Sequence, residues 1–183
     1  MIADGIRLRP AGLADAEPLA AAYRRNRAHL RPWEPVRPGS FFTAEGQRAR
    51  LRAMLAERDA GRSAHWVLDE PGGGAGRVLG SVNLNNVALG PFCSADLGYW
   101  IDAGYTGRGL ASGAVDEVCR IARDELGLHR VEAGTLLDNA ASQRVLVKCG
   151  FDPFGTAPRY LHINGEWRDH RLFQRILHER SPF

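Results

Sequence analysis

Long apolar runs and paired cysteines are both missing from this 183-residue chain. No stretch approaches the roughly 18 apolar residues that a membrane-spanning helix needs. The start, MIADGIRLRP, has neither the apolar centre nor the cleavage-like site of a secretory leader, so a cytoplasmic protein is expected. Cys93, Cys119 and Cys149 are odd in number, widely spaced and without a C-x-x-C pair. That speaks against a disulfide framework and for buried thiols in a reducing compartment. Six dispersed histidines offer no ligand pair at helical spacing, so no metal site is expected. Charge of one sign is scarce as well. With 24 basic and 21 acidic residues the net charge is +3, too small and too scattered to make nucleic acid the main partner. An acidic ligand or acidic peptide remains compatible with it.

What is present is ordinary for a soluble globular chain: 44% hydrophobic and 25% charged residues. One domain over residues 1–183 is expected, burying roughly 70% of the surface that its unfolded form exposes. Ile6 to Pro10 alternates apolar and basic residues and predicts an opening strand. A helix follows, with Asp15 as its N-cap and Leu19, Ala22 and Tyr23 as its apolar stripe. The proline-rich stretch Arg31 to Gly39 ends that helix, and Thr43 begins another that stops near Gly61. Thr43-x-x-Gly46 lacks the acidic or amide residue of a full capping box.

The middle of the chain reads as three strands, 65–69, 77–84 and 95–102, with a flexible turn in EPGGGAG between the first two. Leu110, Ala114, Val118, Ile121, Ala122 and Leu126 then recur at three- and four-residue steps, the pattern of a helix packed on a sheet. A strand over 129–136 and a helix over 139–149 follow, the latter closed by Gly150. Asn164-Gly165 marks a final hairpin. Only one crossover, around the 110–126 helix, requires parallel neighbours. The expected class is therefore α+β, or mixed α/β, with a largely antiparallel central sheet and flanking helices.

The stretch YTGRGLASGAV joins the 95–102 strand to that helix. Gly107, Gly109 and Gly113 can be read as a dinucleotide fingerprint, but such a domain needs several consecutive β-α units and a loop after its first strand. Glu132, near the distance of a ribose-binding acid, sits inside a strand instead of at its end. What survives is a phosphate-binding helix N-terminus, with Gly107 and Gly109 letting backbone approach the ligand and Gly113 packing a turn later on the sheet. An ordinary glycine loop before a core helix is the bland alternative.

GYWIDAGYTGRGLASGAV followed by HRVEAGTLLDNAASQRVLVKCGF resembles the GNAT N-acetyltransferase superfamily, whose acyl-CoA loop has the form Gln/Arg-x-x-Gly-x-Gly/Ala. The matching frame here is Thr106-Gly107-Arg108-Gly109-Leu110-Ala111, with Thr106 departing from the pattern. LGYWI, LHRVEA, DNAASQRVL and YLHINGEWRDH are closer still to the RimJ/RimL group, which acetylates amino termini of ribosomal proteins. The resemblance is strong over about 90–177 and weaker through RNRAHLRPWEP.

It implies acetyl-CoA as cofactor and a splayed parallel strand pair that admits the pantetheine arm. Amides of residues 107–112 would hold the pyrophosphate, and backbone at Tyr99, Trp100 and Ile101 would meet the pantetheine. Asn139 and Lys148 would touch further parts of the cofactor. Asp96 occupies the position of the general base, one methylene short of the usual Glu, and would work through a water; a solvated strand carboxylate is the plain alternative. Ser142, or a water, would serve as general acid, since Val145, Leu146 and Val147 offer no tyrosine; capping or cofactor orientation is the plain alternative for Ser142. Trp33 and Tyr160 are acceptor-cleft candidates, with Arg31 and Arg37 supplying charge for an acidic peptide. The implied acceptor is the N-terminal α-amine of a protein. A small amine such as an antibiotic, polyamine or amino acid, and a non-catalytic acyl-CoA sensor, are the competing readings. Oligomeric state is left open, a homodimer included.

Overall fold

The computed structural model describes residues 2, 5–70 and 76–181. A seven-stranded sheet organises them in the order β1-β2-β3-β4-β5-β7-β6. The strands are β1 (Arg7–Pro10), β2 (Ala64–Asp69), β3 (Val78–Ala88), β4 (Ser94–Ile101), β5 (Arg130–Leu136), β6 (Asp152–Ile163) and β7 (Glu166–Ile176). The helices are α1 (Ala16–Arg25), the short α2 (Arg27–Leu30), α3 (Ala44–Asp59), α4 (Leu110–Asp124) and α5 (Ala140–Lys148). Every neighbouring strand pair is antiparallel except β4 and β5. This is the mixed α/β arrangement expected from the single crossover. The turn expected in EPGGGAG falls on residues 71–75, outside the described residues.

Side-chain alternation along the strands feeds two cores, one on each face. Trp66 and Leu68 of β2 join Leu97 and Ile101 of β4 beneath the apolar stripe of α4, where Leu110, Ala114, Val118 and Ala122 are fully enclosed. Val67 and Val78 point the other way, against Leu19, Ala22 and Tyr23 of α1 and Leu51 of α3. Trp100 packs against that second core and donates its indole N–H to the Tyr23 hydroxyl at 3.0 Å. The three cysteines are buried free thiols. Burial pushes Cys119 up to about 12 and Cys149 up to about 11, which keeps both protonated and inert.

Several local expectations change. Asp15 stands at the N-cap of α1 but makes no capping bond. Its carboxylate instead accepts from Arg9 and from the Gly12 N–H. The first helix breaks at Asn26, and Leu126 lies past the end of α4, partly exposed. Gly113 packs not on the sheet but against Ile2, whose Cγ2 would lie 2.3 Å from an added Cβ. Thr43 does cap α3, its hydroxyl accepting from Gly46 N–H at 3.1 Å. A Cβ on Gly46 would lie 1.9 Å from the Ser40 carbonyl oxygen, so no capping-box side chain fits there. Asn164 and Gly165 both have positive φ, 47° and 90°, as the tight hairpin turn between β6 and β7 requires.

The break at Asn26 has a function in the fold. Asn26 is 1% exposed, donates to the Ala22 carbonyl and the Asp102 carboxylate, and accepts from Ala103 N–H. Asp102, at the end of β4, also accepts from Arg25 and from Gly104 N–H. Burial pushes the Asp102 carboxyl up, but the bonds from Asn26, Gly104 and Arg25 outweigh it and hold it below its ordinary value. A carboxylate so depressed contributes stability above its unfolded pKa of about 3.9, and loses it as pH falls through the folded value. Asn26→Ala should therefore cost about 1–3 kcal/mol by urea unfolding at pH 7, the price of unpaired buried polar groups. Asp102→Asn should also unfold earlier at pH 7, with its gap to the parent narrowing below about pH 4.

Candidate active site

Asp102 fixes the start of the segment that leads into α4. Ala103–Tyr105 forms one tight turn, and the Thr106 hydroxyl closes it by donating to the Ala103 carbonyl at 3.1 Å. The residue that departs from the acyl-CoA loop pattern thus braces the loop from within. Gly107 and Gly109 follow with φ of 77° and 78°, a left-handed backbone that favours glycine. Gly109 is the N-cap of α4 and supplies no side-chain cap. The first amides of α4 are left for a ligand, with the positive end of the helix dipole behind them. An added Cβ at either glycine would meet nothing within 4 Å, so the space above the loop is open. That space and those amides fit a pyrophosphate.

The opening continues into a cavity of about 630 Å³. Its walls include most residues expected to hold a cofactor: Tyr99, Trp100, Ile101, Thr106, Gly107, Gly109, Leu110, Ala111, Ser112, Asn139 and Lys148. Ser142 and Trp33 line it too. Arg108 does not. Its guanidinium turns back to the Gly104 carbonyl and lies over the Tyr105 ring, 4.7 Å from the centroid, so it stiffens the loop from outside.

One strand wall of this cavity is an incomplete ladder. Pairing between β4 and β5 covers Ser94↔Arg130, Ala95↔Val131 and Asp96↔Glu132, then stops. Both strands run on, β4 to Ile101 and β5 to Leu136. The edge of β4 beyond Asp96 therefore has no strand partner on the β5 side, and extended backbone groups there can take an added strand-like ligand.

Tyr99 reaches from β4 to the first turn of α5. Its hydroxyl lies 2.7 Å from Ser142 Oγ and 3.2 Å from the Ser142 carbonyl oxygen. Burial drives the phenol up to about 12, eased by the Ser142 bond, so it stays protonated across the physiological range. When the phenol donates to Ser142 Oγ, the serine proton is free to be given elsewhere. Asn139 caps α5 by accepting from Ser142 N–H at 3.1 Å, which fixes the serine backbone.

Asp96 and Tyr160 are outside the cavity walls and on the other side of the sheet. Asp96 alternates with Gly98 and Trp100, away from Tyr99, and accepts from Asn86 Nδ2 at 2.7 Å. Tyr160 leans over Gly134 and against His170, with ring centroids 5.5 Å apart. Burial raises its hydroxyl pKa, and the negative charges of Asp96 and Glu132 raise it further. The structure thus gathers Asp96 and Tyr160 on one face and Tyr99 with Ser142 on the other, with the split between β4 and β5 joining the two sides.

Sequence reasoning missed His29, Glu34, Tyr105 and Arg144, all in the cavity wall. Glu34 is the most informative. Burial raises its carboxyl pKa, opposed by Arg37 and Arg50, and its backbone carbonyl accepts from Asn164 N–H in the β6–β7 turn. The signal was there: a carboxylate beside Trp33, inside the proline-rich loop already singled out.

The family pattern of the acetyltransferase (GNAT) domain matches residues 6–152. The chain belongs to the GNAT acetyltransferase family. It is 35% identical over 158 residues to the [ribosomal protein uS5]-alanine N-acetyltransferase of Escherichia coli, covering 86% of this chain and 80% of that one. The ribosomal-protein-S5-alanine acetyltransferase of Vibrio fischeri superposes with a TM-score of 0.92 at 32% identity, over 98% of this chain and 97% of the other. RimJ of Mycobacterium smegmatis, solved with CoA-disulfide, gives 0.87 at 30% identity, over 93% and 81%. This GNAT enzyme is an acetyl-CoA-dependent N-acetyltransferase. The open glycine loop, the cavity and the unpaired edge of β4 fit that cofactor.

Gly109→Asp tests the fit. The side chain has room, and Asp tolerates the left-handed backbone at a cost of about 1–2 kcal/mol, so the protein should stay folded while the charge faces the phosphate position. Calorimetry should show CoA binding weakened by about a hundredfold or more, with thermal unfolding moved by only a few degrees.

Proposed function

We propose that this GNAT enzyme acetylates the N-terminal α-amine of a protein, a ribosomal protein foremost, by direct transfer with both substrates bound. The observation that carries the reading is the two-sided split in the sheet, with one set of polar residues on each face. The 35% identity to the Escherichia coli enzyme over most of both chains supports the acceptor class. Residues 1–183 act together as one domain. A cytoplasmic setting suits such an acceptor, and no helix among the described residues is long and apolar enough to cross a membrane.

Acetyl-CoA supplies an activated thioester carbonyl when bound. Amides of Gly107 to Ser112 hold its pyrophosphate, Lys148 adds a cation, and Tyr99, Trp100 and Ile101 offer backbone to the pantetheine. On the opposite face Asp96 accepts the amine proton through a water, while Tyr160 and Trp33 wall the acceptor. An α-amine has an intrinsic pKa of about 7.7–8.0, against about 10.4 for lysine. An α-amine is therefore the acceptor that needs less help in losing its proton at neutral pH. Ser142 is the proton donor for the departing sulfur, and Tyr99, its phenol pushed up to about 12 by burial, stays protonated and orients the serine by hydrogen bonding.

Incubation with labelled acetyl-CoA and purified ribosomal proteins, read by peptide mass spectrometry, should place acetyl on an N-terminal residue. Ser142→Ala should lower kcat about a hundredfold with KM for acetyl-CoA nearly unchanged. Acetylation of free amino acids or polyamines in preference to any protein amino terminus would overturn the acceptor assignment.

A further inference from the structure

A second cavity, of about 720 Å³, lies beside the first and shares Leu30 and Glu34 with it. It is bounded by the end of α1, by α2, by the proline-rich loop and by Asn164 of the β6–β7 turn. Five arginines line it, Arg24, Arg25, Arg27, Arg31 and Arg37, against a single carboxylate, Glu34. All five lie between residues 24 and 37, and since the whole chain carries a surplus of only +3, this wall holds a local excess of positive charge.

The five are not equally committed. Arg24 is paired with Glu17, and Arg25 with Asp102. Arg27 stacks on the Phe42 ring, 4.6 Å from its centroid, and Arg31 only reaches the Asn164 side chain at 3.5 Å. Neither Arg27 nor Arg31 makes an ion pair with a carboxylate among the described residues. Arg37 faces Glu34 at 3.6 Å, beyond hydrogen-bonding distance, and its buried Nε has no hydrogen-bond partner. A concave wall of like charges with open donors is unfavourable alone and favours an anion that accepts planar, forked hydrogen bonds.

We infer that this second cavity binds the acidic side chains of the acceptor polypeptide downstream of its amino terminus. The inference rests on the acceptor reading above for the identity of the ligand and deepens it. An extended chain advances about 3.3–3.6 Å per residue, so a peptide whose amine reaches the split between β4 and β5 from the Asp96 side carries its next few residues past Leu30 and Glu34 into the second cavity. There Arg27, Arg31 and Arg37 select aspartate or glutamate, and Glu34 at the junction repels a carboxylate that advances too far. Specificity comes from this wall, and the chemistry from the split beyond it.

Phosphate shares the required chemistry, so the test separates the two sources. An N-acetylated hexapeptide rich in Asp and Glu, and its Asn/Gln counterpart, are titrated into the CoA-loaded protein by calorimetry at about 50 mM and about 500 mM salt. The acidic peptide should bind at least tenfold tighter at low salt, and the advantage should shrink at high salt. Arg27→Gln/Arg31→Gln should abolish the advantage with CoA affinity and thermal unfolding unchanged. Arg27→Lys/Arg31→Lys, which keeps charge but not the fork, should recover part of it. Equal binding of the two peptides, or an advantage that survives the glutamine pair, overturns the inference. So does inorganic phosphate binding at the arginines while the acidic peptide does not. Because the peptide is already acetylated, binding is read without transfer: transfer to protein amino termini without acidic preference sinks only this inference, and acidic binding without such transfer sinks only the acceptor reading.

Discussion

The ladder between β4 and β5 stops after Asp96↔Glu132, and the rest of the site is arranged around that interruption. Two strands that begin as a parallel pair and then part leave main-chain donors and acceptors facing a gap inside the sheet. Buried backbone groups are rarely left unpaired, so the gap is a demand for a ligand that offers hydrogen bonds along an extended line. The pantetheine arm has that character. The same gap opens between the two faces of the sheet, with Asp96 on one side and Tyr99 and Ser142 on the other.

The segments that flank the gap are tied down by hydrogen bonds. Asp102 gathers Arg25, Asn26 and the Gly104 amide at the end of β4, coupling the second core to the loop that follows. Thr106 and Arg108 return hydrogen bonds into the same turn. The glycine loop can then adopt its left-handed backbone without losing its place, and α4 presents its amides to the phosphate position. On the other bank Asn139 caps α5, which sets Ser142 against Tyr99 across the mouth of the cavity. On the proposed reading, the donor site is built from strands, helices and one braced loop, and the acceptor side is bordered by the proline-rich loop and the β6–β7 turn. These meet where Asn164 N–H donates to the Glu34 carbonyl.

Most local signals in the sequence were faithful, the Asp15 cap and the reach of α4 to Leu126 excepted. The stripe from Leu110 to Ala122, the cap at Thr43, the Asn164-Gly165 turn and the glycine loop depend on neighbours within a few residues, and the chain states them directly. Interactions across long separations were not legible. Asn26 and Asp102 are 76 residues apart, and nothing in the helical pattern around Asn26 shows that its side chain leaves to bind β4. Arg108 fits the cofactor loop by position, yet its direction is decided by Tyr105 and the Gly104 carbonyl. The arginines fall together between residues 24 and 37, but nothing local shows that α2, the loop and the hairpin turn converge to set them around one cavity. Glu34 was overlooked because its significance comes from burial and from lining both cavities.

The unpaired edge of β4 is the centre of the account, and site-resolved amide hydrogen exchange measures it most directly. Saturating CoA should slow exchange at least tenfold for those amides in Leu97–Ile101 that point away from β3, together with the amides of residues 107–112. Protection confined to 107–112, with the β4 amides unchanged, would mean that the cofactor binds by its phosphates alone and that the gap does not receive it.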